Sequence, residues 1–156
     1  MASSVESFAL TPAERALFEA LRRRGVRFLV VGMGAAVLEG APVATQDIGI
    51  WFERLDDERI RDAAVDAGGF WISGFGSQPP GFGGAGLDRI DVVLTAHGLD
   101  RFDVEYASRL THELEGVQLE VLPLERVIVS KRSLMRPKDV AQLPALEATL
   151  AVKRAP

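Results

Sequence analysis

In the run Val30-Val31-Gly32-Met33-Gly34-Ala35-Ala36-Val37-Leu38-Glu39-Gly40-Ala41-Pro42-Val43-Ala44-Thr45-Gln46-Asp47-Ile48-Gly49-Ile50-Trp51, an apolar strand breaks at a glycine turn and a second strand begins beside a carboxylate. Arg27–Val31, apolar from Phe28 on, reads as a buried strand. Gly32-Met33-Gly34 turns directly into a short helix over 35–39, and Gly40 closes it. After Ala41-Pro42, residues 46–52 form the next strand. Side chains in a strand alternate between faces, so Asp47, residue 49 and Trp51 share one side.

Upstream, Thr11-Pro12-Ala13-Glu14 is a helix start, with Thr as N-cap, Pro at the first helical position and Glu at the third. That helix runs over about 12–24, and Gly25 stops it. Downstream, Asp56 opens a helix that ends at Gly68-Gly69. Residues 68–86 then hold eight of the chain's 15 glycines, with Phe70, Trp71, Phe75, Phe82 and Pro79-Pro80 among them. A strand is predicted at 70–73 and a mobile loop over 74–86. Arg89–Thr95 alternates as a strand, a polar helical segment covers about 99–109, and a strand follows at 117–122. Pro123 begins a helix through Leu134, and a last helix covers about 144–153. These elements predict one α/β (α+β) domain over 1–156, a mixed sheet flanked by helices with its core at about 27–150.

Composition narrows the chemistry. The 156 residues are 47% hydrophobic and 26% charged, the balance of a globular domain with a real core. With no cysteine, disulfides, thiolate metal sites and thiol catalysis are excluded, and His97 and His112 alone leave little for a histidine-rich centre. The N-terminal residues lack a signal-peptide pattern and no window is apolar enough to span a bilayer, so a soluble, cytoplasmic protein is expected. A net charge of −4 and a pI near 5.2 count against a nucleic-acid surface, Lys131 to Lys138 being the local exception.

Asp47 and Asp91 each sit in an otherwise apolar strand, where a carboxylate must be paired, solvated or bound to a metal. Spacing alone leaves two readings open: a shared metal site, or two solvent-exposed strand faces.

Residue order adds to this. The run from Val30 to Trp51, a later Ile90-Asp91-Val92-Val93, and Ser130-Lys131-Arg132-Ser133-Leu134-Met135-Arg136-Pro137-Lys138-Asp139 together resemble the signature of the nucleotidyltransferase superfamily, closest to its minimal and AbiEii-like bacterial branches. The resemblance implies a nucleotidyltransferase-like fold and Mg²⁺- or Mn²⁺-dependent transfer of a nucleoside monophosphate from an NTP such as ATP to a hydroxyl acceptor. It assigns Gly32 and Gly34 to backbone contacts with phosphate, aided by the following helix dipole. It makes Asp47 the first carboxylate of a two-metal site and Asp91 the third, as general base or metal ligand. Lys131 is placed toward the triphosphate. The branches also imply a toxin–antitoxin or phage-defence partner, with a degenerate nucleotide- or partner-binding module as the alternative function.

One residue departs sharply. Position 49 carries the second carboxylate in the family pattern and is Gly49 here. Glu53 shares its parity with Asp47 but lies six residues on, roughly 20 Å along a strand. Asp88 has the wrong parity relative to Asp91. A poor catalyst is expected. Met33 and Gly34 stand where Gly-Gly or Gly-Ser is common, removing a possible hydroxyl to a phosphate, and Val43 stands where many relatives carry Arg. Arg132 is read as a solvated helix end and Asp139 as an N-cap. The aromatic loop at 74–86 is read either as a lid over the site or as a segment folded back on the core. Trp51 either lines the cleft or packs in the core; His97, just after strand 89–95, is within reach of a site at that end but is read as a loop residue. A nucleotide, a toxin or antitoxin protein, or a second copy in a homodimer are the expected partners, with no membrane.

Overall fold

The computed structural model describes residues 8–84 and 86–156; residues 1–7, part of the N-terminal stretch read for a signal peptide, and Ala85 in the glycine-rich segment lie outside them. The chain forms a mixed α/β domain, a five-stranded sheet flanked by helices. Strand order is β5-β2-β1-β7-β6, with β1 Phe28–Val31, β2 Ile48–Phe52, β5 Ile90–Val92, β6 Leu110–Leu114 and β7 Val117–Val121. β1 runs antiparallel to β2 and parallel to β7, while β2 runs parallel to β5. All four residues of β1 are buried, which is why its sequence reads as an unbroken apolar run. In β2, Ile48, Ile50 and Phe52 are buried, while Gly49 and Trp51 occupy the other face.

The helix at the start follows its predicted chemistry. α1 (Pro12–Arg23) begins with a complete capping box: the Glu14 amide donates to the Thr11 hydroxyl at 3.0 Å, and the Thr11 amide donates to the Glu14 carboxylate at 2.8 Å. Arg89, just ahead of β5, donates to both Glu14 oxygens at 2.7 and 2.8 Å. The Arg89 carbonyl accepts the Ile48 amide at 2.8 Å, the first rung of the β2–β5 ladder. The capping box is thereby tied to the strand pair that carries Gly49 and Asp91.

Several boundaries differ from the sequence reading. α2 (Gly32–Leu38) starts at Gly32, so the glycine turn is the first turn of the helix. β5 is only three residues long, although the Val93 amide still donates to Ile50. β6 is absent from the sequence expectation; it forms a hairpin with β7 across Glu115-Gly116, both at positive φ (53° and 83°). α3 (Glu58–Asp66) leads to β3 (Phe70–Ile72), which pairs with β4 (Gly81–Gly83) inside the predicted loop. Phe82 is buried, 4.9 Å from Trp71 and 6.2 Å from Phe52 between ring centroids. Of the two readings of this segment, β4 therefore folds back on the core. α4 (Phe102–Ala107) is shorter than its predicted span. α5 (Leu124–Leu134) matches, but α6 runs Pro137–Arg154 with Pro144 inside it, where the sequence reading started the helix. Among the described residues, no helix is long and apolar enough to cross a membrane.

Candidate functional site

Where β1 and β7 end and β2 begins, a cleft of about 560 Å³ opens between the sheet and the α5–α6 pair. It is lined by Gly32, Gly34, Asp47, Gly49, Asp91 and Lys131, six positions that come from four separate elements or their flanks. Its size lies within the range of small-molecule sites.

Each position has a local cause. Gly32 adopts φ +62°, which favours glycine and lets the chain turn from strand into helix without a break. Gly34 is buried, and a Cβ there would stand 3.4 Å from both Phe8 and Val30, so the serine of the family pattern has little room. Asp47 precedes β2 and is exposed, its carbonyl accepting the Thr45 hydroxyl at 2.8 Å. Gly49 pairs with Val31 on one side and with Asp91 on the other. In that parallel register, residues 49 and 91 share a face. Asp91 is exposed.

The opposite wall is cationic. Lys131 on α5 is only 7% exposed, and its ammonium donates to Asp139 at 3.1 Å. Asp139 is fully buried; it also accepts the Arg136 guanidinium at 2.7 and 3.1 Å and the Arg136 amide at 3.1 Å. The N-cap of α6 is thus Arg136, and Asp139 is its third helical residue, satisfying the cap from inside the helix. Hydrogen bonds from Arg136 and Lys131 hold the Asp139 carboxyl far below the ordinary carboxylate range against the cost of its burial. Burial pulls Lys131 below the ordinary lysine value, and the bond to Asp139 partly offsets that. Arg136 and Lys138 also line the cleft, and Lys138 makes no ion pair among the described residues.

The remaining residues singled out in the sequence sort themselves around this geometry. Arg132 is exposed, pairs with Glu147 at 3.0 Å and stays out of the cleft lining, as a solvated helix end does. Trp51 packs edge-on against Phe102 at 5.2 Å and also stays out of the lining. Val43 is partly buried against the core. No described residue of 74–86 lines the cleft. His97, by contrast, does line it, with Thr95 and Gln142. The loop carrying His97 is pressed onto α5 at Gly98, where φ is +76° and a Cβ would come within 2.6 Å of Ser133. The position of His97 just after the 89–95 strand offered this placement as the less favoured reading, whereas no motif in the sequence marks Gln142 as a lining residue.

The donor set decides whether a paired-metal centre fits here. Among the described residues, no group of three or more His, Asp or Glu side chains is placed to hold a metal ion. Asp47 and Asp91 are the carboxylates of the lining, both are exposed, and the register position beside Asp91 is Gly49. These residues do not fit a paired-metal centre.

No protein-family model and no curated protein matches this chain. Among solved structures, the chain is similar to an antigenic nucleotidyltransferase-like protein from Paracoccidioides brasiliensis, with 14% sequence identity over 85% of this chain and 72% of that one and a TM-score of 0.56. At that identity the likeness carries the fold.

Proposed function

We propose that this chain is a nucleotide-binding protein on a nucleotidyltransferase-like fold, in which transfer of a nucleoside monophosphate to a hydroxyl acceptor is weakened by Gly49. The observation that supports this reading is the convergence of Gly32, Gly34, Asp47, Gly49, Asp91 and Lys131 on one cleft, with Gly49 in register with Asp91. Gly32 and Asp91, 59 positions apart in sequence, meet there beside a buried lysine.

The chain's own contribution divides between two walls. Lys131, Arg136 and Lys138 face the anionic phosphates, with Asp139 fixing the first two in place. Asp47 and Asp91 stand on the sheet side, where an acceptor hydroxyl would have to lose its proton. With position 49 reduced to a hydrogen, that side lacks one carboxylate.

Backbone amide NMR shifts during an ATP titration test the reading. The expected result is a set of perturbed amides at Gly32–Ala35, Ile48–Ile50 and Ser130–Asp139. Shifts confined to surfaces outside the cleft, or none at millimolar ATP, contradict it. A module of a toxin–antitoxin or phage-defence pair that works only through a protein partner would give that second result.

A further inference from the structure

Resting on the nucleotide reading, we infer that the cleft binds its triphosphate without a divalent metal ion, through the cationic wall of Lys131, Arg136 and Lys138. The fold and the donor set do not match. A site that captures Mg²⁺ with a nucleotide offers carboxylates as ligands, and the ion then neutralises their repulsion with the phosphates. Here the carboxylates are two, Asp47 and Asp91, both exposed to solvent that screens them. No third ligand of the same kind stands within reach among the described residues.

The opposing wall is built differently. Lys131 is held at 7% exposure with its ammonium on Asp139. Arg136 binds the same carboxylate at 2.7 Å, and Asp139 itself is fully buried. A single carboxylate therefore fixes two cations, and Lys138 adds a third that no described acid neutralises. Preorganised cations pay little entropy on meeting an anion, and charge-assisted contacts to phosphate are the strong class of hydrogen bond. The wall retains net positive charge and lines the same 560 Å³ cleft as the glycine turn. The ligand class is a nucleoside triphosphate recognised by its phosphates, and inorganic tripolyphosphate shares that chemistry.

Calorimetric titration of the whole chain with a non-hydrolysable ATP analogue, in Mg²⁺ and separately in EDTA, tests this. The expected result is a Kd that differs by less than about threefold between the two conditions, with tripolyphosphate competing in both. Lys138→Glu, an exposed substitution that leaves the fold intact by circular dichroism, is expected to weaken binding about tenfold or more in both conditions, the scale of a lost charge-assisted contact. Gly49→Asp is expected to bind more weakly in EDTA and to recover with Mg²⁺, because it adds a carboxylate to the sheet side. Binding by the unmodified chain in Mg²⁺ but not in EDTA overturns the inference and leaves the nucleotide site standing. No binding in either condition overturns the nucleotide reading itself.

Discussion

Gly49→Asp is expected to raise the formation of AMP and pyrophosphate from ATP in Mg²⁺, with water as acceptor, by about 10²-fold or more, the scale of one preorganised electrostatic element at a reacting phosphate. The position invites the change. Gly49 is not at positive φ, and a Cβ there would meet Val31 at 3.4 Å and Val93 at 3.5 Å, at the edge of ordinary contact. The new carboxylate would share a face with Asp91 across the β2–β5 ladder, and Asp47, one residue ahead of β2, lines the same cleft. Stability should move little, since an interior glycine already weakens the strand and aspartate is also a poor strand former. Adding Asp47→Asn to the variant should remove most of the gain. A well-folded Gly49→Asp protein with no increase in pyrophosphate release would show that position 49 is not what limits the site.

Asp139→Ala is expected to cost about 3–5 kcal/mol of folding stability, the effect of deleting one partner from a buried ion pair. Asp139 is fully buried and takes four hydrogen bonds, from the Lys131 ammonium, the Arg136 guanidinium and the Arg136 amide. Its removal strands Lys131 at 7% exposure and frees the N-terminus of α6. For a chain of this length that corresponds to a fall in Tm of roughly 10 °C. The pH dependence carries the same sign. The folded carboxyl titrates below its unfolded value of about 3.9, so its contribution is complete above that pH and is lost as pH falls through the acid range. The unmodified chain should lose stability below about pH 4 more steeply than Asp139→Ala does. A stability change under 1 kcal/mol for Asp139→Ala in urea unfolding would contradict this account of the wall.

The sequence carried most of the architecture where local chemistry and tertiary context agree. Thr11, Pro12 and Glu14 announced α1, and the capping box is present in full. The apolar run at β1 and the alternation of β2 set the sheet's centre. β6 escaped because Leu-Thr-His-Glu-Leu is mostly solvent-facing edge strand, and its turn uses Glu115 at φ 53° in place of the usual Asn or Asp before Gly116. β4 escaped because Gly81 and Gly83 carry no strand preference of their own; pairing with β3 and burial of Phe82 supply it. Pro144 read as a helix start, although the Asp139 carboxylate on the Arg136 amide had already begun α6 two turns earlier.

For the cleft, the strand side was legible through parity, since Asp47, position 49 and Asp91 belong to period-two patterns. The cationic wall was only half legible. A run of Lys and Arg at a helix junction reads as a solvated surface, and nothing in its spacing reveals that Asp139 is buried and draws Lys131 and Arg136 inward. His97 and Gln142 depend on how a loop and a helix pack, which no local pattern encodes.

A crystal structure of the unmodified chain with a non-hydrolysable ATP analogue measures the central claim most directly. The phosphates are expected in the 560 Å³ cleft, within hydrogen-bond distance of Lys131, Arg136 or Lys138 and facing Gly49 across the gap. An analogue seated on another surface, or a cleft that stays closed to it at saturating concentration, would contradict it.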